Sequence, residues 1–180
     1  MPGEADRGKR PVSTVLAGPY GHPFHPILVT VPIGAWVASL VFDIASRIVD
    51  RPGFLTQGSE WLIAIGILGA LAAAMVGFLD LFGIPTGTPA FRTGLVHMAL
   101  NLAVTVAFAV NFVWRQSDYG RPHPVSVGQI VLSAGSLIAL GVSGYLGGKL
   151  AFRYGVRVVH DADQLDGFGP PAGHTPPVQP

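Results

Sequence analysis

Four long apolar runs, separated by short polar segments, dominate the chain. They cover about residues 27–48, 61–80, 93–114 and 125–148. A helix that crosses the hydrocarbon core of a bilayer needs about 20 predominantly apolar residues, and each run is long enough. Asp43 and Asp80 are acidic residues near the ends of the first two runs. The pattern predicts an all-α fold, a bundle of four transmembrane helices whose short loops make neighbouring helices antiparallel.

The segments outside the runs predict the domain organisation. Residues 1–20 are polar and contain no apolar stretch typical of a secretory signal, so the first run is expected to remain in the mature protein. Residues 159–180 are rich in Pro and Gly. We therefore expect one transmembrane domain over residues 21–158, between a disordered N-terminus and a disordered tail.

A weak internal repeat suggests two similar helix pairs. Gly77-Phe78-Leu79-Asp80 at the end of the second run matches Gly144-Tyr145-Leu146-Gly147 near the end of the fourth. The first and third runs both have a His near their start. Two helix pairs related by an axis along the membrane normal would give this pattern.

Composition supports a membrane protein and excludes several classes of function. Only 12% of the residues are charged, against about 25% in soluble domains. The net charge of +1 gives no basic field for nucleic acid. The chain has no cysteine, which excludes disulfides, thiolate catalysis, Cys-ligated zinc and iron–sulfur clusters.

The cations flanking the four runs predict the orientation. One side carries Arg7, Lys9, Arg10, Arg92, Lys149, Arg153 and Arg157, and the other carries Arg47, Arg51, Arg115 and Arg121. Cytoplasmic loops carry the excess of Lys and Arg, so both termini are expected in the cytoplasm. Lys149, Arg153 and Arg157 recur every four residues and are expected to form one stripe on a helical extension that meets anionic lipid.

Histidines at the start of the first and third runs are the strongest candidates for chemistry. In Gly21-His22-Pro23-Phe24-His25-Pro26 each His precedes a proline, which predicts that His22 and His25 lie outside regular helix. Pro26 is then expected at the first helical position, with His25 as the residue that starts the helix. His97 lies about one turn into the third run, and Asn101 shares its helix face. Asp80 reaches the same side of the membrane. We expect His22, His25, Asp80, His97 and Asn101 to lie in one region.

Two cofactors suit this set of side chains. His97 with His25, or with His22 in its place, could hold a haem b iron from two helices. His22, His25, His97 and Asp80 could instead bind a divalent metal. Room for a macrocycle is expected beside small residues of the second and fourth runs, namely Gly66, Gly69, Ala72, Ala73, Gly141 and Gly144. The alternative is a polar cluster with no cofactor, in which the small residues serve helix packing.

A second polar set lies at the other side of the membrane. Asp43 is expected to pair with Arg115 or Arg47, near Asn111, as a structural ion pair rather than a transport site. Ser133, Ser136 and Ser143 lack a His–carboxylate pair that would activate one of them, so they are expected to bond to helix backbone and an enzyme is not favoured. His123 and His174 are expected to be a loop residue and a tail residue.

Together these segments resemble a bacterial membrane family catalogued as domain of unknown function 2231, over about residues 19–158. The resemblance rests on the His-Pro segment at 21–26, Pro32-Ile33-Gly34, Asp43, His97 with Asn101-Leu102 after Arg92, and residues 144–156. It implies a multi-pass protein of the bacterial inner membrane. Relatives fused to Rieske-like or cytochrome-like domains imply a redox partner. Many members carry His where this chain has Tyr154, so no role is assigned to that position.

Three hypotheses follow. The first is a haem-b or metal-binding component of electron transfer in the membrane. The second is a cofactor-free accessory or scaffold subunit of a membrane redox complex. The third is a proton-coupled or metal-ion transporter that uses Asp43, Asp80 and the histidines. The expected partners are the lipid bilayer, a redox protein and a second copy of the chain, with no nucleic acid.

Overall fold

The computed structural model describes residue 9 and residues 23–158, which form five helices and no β-strand. The helices are α1 (His25–Leu28), α2 (Thr30–Ser46), α3 (Gly53–Phe82), α4 (Pro89–Arg115) and α5 (Val127–Phe152), with a 3₁₀ turn at Gln116–Asp118. His22 and the two terminal segments for which disorder was predicted lie outside the described residues.

Four segments are long and apolar enough to cross a membrane, which confirms the predicted all-α bundle. They are His25–Ser46, Gly53–Phe82, Pro89–Asp118 and Val127–Phe152. Large apolar side chains such as Leu68 and Ile138 are about 70% exposed on the outer surface, where lipid would cover them. Several buried side chains are polar, among them Ser39, Asp43, Ser59, Asn111 and Ser133. An apolar exterior around a partly polar interior is the arrangement expected in a bilayer.

Proline shapes the first span. Helix α1 begins at His25 with Pro26 in its first turn, and the amides of Ile27 and Leu28 bond to the Phe24 carbonyl. His25 thus starts the first helix, as predicted. It lies within the first turn rather than outside regular helix, and its carbonyl accepts a hydrogen bond from the Val29 amide. Pro32 has no N–H to bond back to Leu28, and α1 is separated from α2 at Val29.

The second span is longer than its sequence pattern predicts. Helix α3 begins at Gly53 rather than at Trp61, and its 30 residues extend about 45 Å. That length exceeds the hydrocarbon thickness of about 30 Å, so both ends reach the headgroup region. As a result Glu60 lies two turns inside the helix and is buried.

The bundle consists of two helix pairs. Helix α2 packs on α3, α4 packs on α5, and the pairs meet mainly through α3 and α4. Trp36 of α2 stacks on Phe108 of α4 with ring centroids 4.2 Å apart, and Ile63 and Val104 complete a buried apolar layer around them.

The side-chain contacts between the first span, α1 with α2, and the third span, α4, share one sequence separation. Facing residues are separated by 72 positions in the sequence, as in His25 with His97, Trp36 with Phe108, and Asp43 with Arg115. Equivalent positions of two repeats face each other when the axis relating them runs parallel to the helices. The contacts therefore support the predicted axis along the membrane normal.

Candidate functional site

A cavity of about 600 Å³ lies between the helix pairs at the end of the bundle where His25 and His97 meet, which we call the histidine end. Most of its lining is apolar, and Trp36 closes it toward the centre of the bundle. The predicted site residues His25, Asp80, His97 and Asn101 all line it. The structure thus brings together every described member of the predicted set.

His25 is held against the second helix of its own pair. Its Nδ1 atom lies 2.9 Å from the backbone carbonyl oxygen of Ala73. The ring rests on Gly77, where an added Cβ would lie 2.8 Å from the His25 Cε1 atom. A side chain at residue 77 would therefore displace the imidazole.

His97 has the same arrangement in the second pair. Its Nδ1 atom lies 2.8 Å from the Ser143 carbonyl oxygen, and its ring rests on Gly147, where a Cβ would lie 3.1 Å from Cε1. The Asn101 amide is 3.1 Å from His97 Nε2, as the shared helix face predicts. The Ser143 hydroxyl donates to the His97 carbonyl oxygen at 3.2 Å.

These contacts correct the register of the internal repeat. The carbonyl that receives the imidazole N–H and the glycine under the ring are four residues apart in both pairs: Ala73 with Gly77, and Ser143 with Gly147. Gly77 is therefore equivalent to Gly147, and the predicted match of Gly77 to Gly144 is wrong by three residues. The short motif misled because Gly recurs at both 144 and 147.

The tautomer of each imidazole follows from its partner. A carbonyl oxygen only accepts hydrogen bonds, so Nδ1 carries a proton in both rings, and in a neutral imidazole the lone pair is then on Nε2. Ser143 Oγ is also 3.0 Å from His97 Nδ1, but a protonated nitrogen cannot act as the base that activates a hydroxyl. The two ring centroids are 6.3 Å apart, with the ring planes at 83°.

Two of the six small residues that were predicted to make room for a macrocycle, Ala73 and Gly144, line the cavity. An added Cβ at Gly66 would meet Trp36, and one at Gly69 would meet Val31, so these glycines serve helix packing. Further small residues near the histidine end line the cavity with Ala73 and Gly144: Ala70, Ala74, Gly77, Gly147 and Gly148. A Cβ at Gly144 would meet no atom within 4 Å, so this glycine is not at a tight helix contact.

An ion pair stands in the cavity wall at the histidine end. Arg157 Nε lies 3.1 Å from Asp80 Oδ1, and both side chains are mostly buried. The predicted stripe of Lys149, Arg153 and Arg157 is wrong. Helix α5 ends at Phe152, and Gly155 and Arg157 both have positive φ, which turns the chain back over the cavity.

The opposite end of the bundle, which we call the Asp43 end, holds a buried polar network. Arg115 Nη1 and Nη2 donate to the two carboxylate oxygens of Asp43 at 2.8 and 2.7 Å, and Ser59 also donates to that carboxylate. Arg115 Nε donates to Asn111 Oδ1 at 3.0 Å. Arg115 is thus the partner of Asp43, while Arg47 donates to the Val125 carbonyl.

The serines of α5 are only partly as predicted. Ser136 donates to the Leu132 carbonyl of its own helix. Ser143 also donates to helix backbone, at the His97 carbonyl of α4. Ser133 instead accepts from Asn111 Nδ2 at 2.8 Å, and both serines connect α5 to α4. His123 lies in the exposed loop before α5, beside Asp118.

One comparison with known proteins gave a match. The family model described as predicted membrane protein (DUF2231) matches residues 21–160. The chain belongs to the DUF2231 family. No curated protein and no solved structure matched it. The matched range contains both helix pairs and both polar clusters, so the histidine end and the Asp43 end lie within the DUF2231 region.

The description of the DUF2231 family identifies the chain as a membrane protein and names no activity. Among residues 23–158 no three His, Asp or Glu side chains are grouped so that they could hold one metal ion. His22, predicted as a further ligand, lies outside the described residues. The geometry therefore offers one facing pair of imidazoles and a cavity beside them.

Proposed function

We propose that this membrane protein binds haem b between His25 and His97 and serves as an electron-transfer component. The observation that carries the proposal is the facing pair of imidazoles from two helix pairs. Their centroids are 6.3 Å apart. At this separation a single metal ion would fit between the two rings, with a metal–nitrogen bond of about 2 Å to each.

The hydrogen bonds of both imidazoles suit axial ligands. Metal-binding His side chains usually donate their other N–H to a carbonyl or carboxylate, which fixes the tautomer. His25 does so to Ala73 and His97 to Ser143. On each ring Nε2 is then the nitrogen that would be left to bind iron. Asn101 holds Nε2 of His97 and would have to release it.

The cavity supports the same proposal by its size and lining. Its volume of about 600 Å³ is within the range of about 300–1,000 Å³ typical of ligand and cofactor sites. Small side chains of α3 and α5 line the cavity beside both rings. Arg157 also lines it, and its guanidinium would have to exchange Asp80 for an acidic substituent of the cofactor. Bound haem would supply a one-electron carrier, which His25 and His97 would hold and the apolar lining would shield from water.

A divalent metal is less well supported than haem. A haem iron takes four of its ligands from the macrocycle, so two imidazoles suffice. A metal held by protein alone needs about four, and the described part of the chain offers no group of three suitable side chains.

The second candidate is a cofactor-free accessory subunit. The observation that favours it is that both Nδ1 atoms already bind a neighbouring helix, so the imidazoles could serve as interhelical clamps. A transporter is less well supported, because the layer of Trp36, Ile63, Val104 and Phe108 separates the histidine end from the Asp43 end.

The test is a reduced-minus-oxidised optical spectrum of detergent-purified protein produced with haem in excess, with metal analysis of the same sample. We expect a bis-imidazole haem b spectrum that is lost in His25→Ala and His97→Ala. Those proteins should still insert, because each change removes a polar group from the membrane. Exogenous imidazole should restore part of the spectrum in His97→Ala.

His123→Ala is the matched control, since this His is exposed and outside the cavity. It should retain the full spectrum. Haem-free, metal-free wild-type protein would contradict the proposal. If His97→Gln then kept most of the thermal stability that His97→Ala lost, the result would support the cofactor-free subunit, in which the imidazole only joins two helices by hydrogen bonds.

A further inference from the structure

Buried charges at the Asp43 end do not balance. The buried ionisable side chains of the described spans are Asp43, Glu60 and Arg115, with exposed fractions of 0–3%. Two carboxyl groups thus share one guanidinium. An unpaired charge inside a bundle is strongly disfavoured, and a group in that position becomes neutral instead.

Asp43 is the carboxyl that is ionised. It accepts two hydrogen bonds from Arg115 and one from Ser59, which satisfies a carboxylate on both oxygens. Arg115 in turn uses Nε for Asn111 and also contacts Ser59. The donors of the Arg115 guanidinium are therefore hydrogen-bonded to Asp43, Asn111 and Ser59.

Glu60 is the carboxyl without a partner. Its Oε2 atom is buried and has no hydrogen-bond partner among the described residues. It lines a second cavity of about 10 Å³, together with Arg115, Gln129 and the loop residues Asp118 and His123. That volume is about the minimum that holds one water molecule.

This second cavity connects the buried carboxyl to the aqueous face. The side chains of Asp118 and His123 are 42% and 44% exposed, and they form part of the cavity wall. One water molecule in the cavity could accept a proton from Glu60 and give one back. Asp118 and His123, which are exposed, could pass protons between that water and solvent.

We propose that Glu60 is a proton-binding site, neutral in the folded protein, that exchanges its proton with the aqueous face at the Asp43 end. The proton leaves the carboxyl oxygen for a water in the second cavity, and a proton from that water replaces it. A bound metal cation in this position is disfavoured by the Arg115 guanidinium in the same wall.

The charged groups around Glu60 set what its ionisation would do. Asp43 belongs to α2, Arg115 to α4, and Asp118 and His123 to the segment between α4 and α5. Arg47 donates to the carbonyl of Val125, a residue that also lines the second cavity. Arg121 is held by Asp118. An ionised Glu60 would compete with Asp43 for Arg115, the cation buried with them.

The test is infrared spectroscopy of the purified protein in detergent at neutral pH. We expect a carboxylic-acid C=O band that shifts in D₂O and is absent in Glu60→Gln. That variant keeps the size of the side chain and its neutrality, so its thermal stability at neutral pH should match the wild type. Glu60→Asp should keep a protonated band of altered position.

Asp80→Asn is the matched control, because Asp80 is the other acidic residue of α3 and lies at the histidine end. The band should persist in that variant. Its loss there, or its absence from wild-type protein, would overturn the proposal. A band that stays unshifted after long exchange in D₂O would show a proton closed off from solvent, which would also overturn it. None of these results depends on haem binding.

Discussion

The pair Asp43–Arg115 shows how single residues set the stability of this interior. The bidentate ion pair is almost completely buried, with exposed fractions of 3% for Arg115 and 0% for Asp43. Removing one partner of a buried pair leaves an uncompensated charge, whereas removing both avoids that penalty. The network is therefore expected to be strongly coupled.

We expect Arg115→Met to destabilise the protein by about 3–5 kcal/mol, because Asp43 then lacks its counter-ion. Asp43→Asn in that background should recover part of the loss, with a coupling of about 0.5–3 kcal/mol. Thermal unfolding in detergent measures both. A double variant whose loss equals the sum of the single losses would show that the two side chains act independently.

At the scale of helices, the glycines under the two imidazoles decide whether the rings can lie where they do. Gly77 and Gly147 occupy equivalent positions of the two pairs, one turn beyond the carbonyls that bind His25 and His97. Glycine normally costs helix stability relative to alanine, so the close approach of a ring explains its presence.

Gly77→Ala should displace the His25 ring, since the new Cβ would lie 2.8 Å from Cε1. We expect a destabilisation of about 1–3 kcal/mol and loss of most bound haem. Gly141→Ala is the control, because its Cβ meets nothing within 4 Å and alanine should stabilise the helix by about 0.5–1 kcal/mol. Equal stability of the two variants would mean that the ring does not rest on Gly77.

What the sequence could predict depends on whether an interaction is local. The four apolar runs define the helices, and the spacing of His97 and Asn101 defines a contact within one helix. The acceptors Ala73 and Ser143 were not predictable, because backbone carbonyls have no sequence signal. Glu60 was missed because it lies one residue before the run that began at Trp61, and hydropathy does not show that α3 starts at Gly53.

For the whole molecule, the two helix pairs make a bundle with two unlike ends. Equivalent positions facing each other hold two imidazoles at one end and an acid–base pair at the other. The layer around Trp36 and Phe108 lies between them. A repeated scaffold has thus come to hold different chemistry at its two ends, and the orientation of the bundle decides which compartment each end faces.

Reporter fusions after Arg10 and after Asp161 test that orientation. Four spans place both fusions on one side, and seven of the eleven cations flank that side, so we expect both reporters to be cytoplasmic. A reporter inserted after Tyr119, in the loop at the Asp43 end, should be on the opposite side. If both terminal reporters are found outside the cytoplasm, the orientation is the reverse of the one predicted and the four-span fold still holds. Glu60 would then exchange protons with the cytoplasm. Terminal reporters in different compartments would contradict the four-span fold itself.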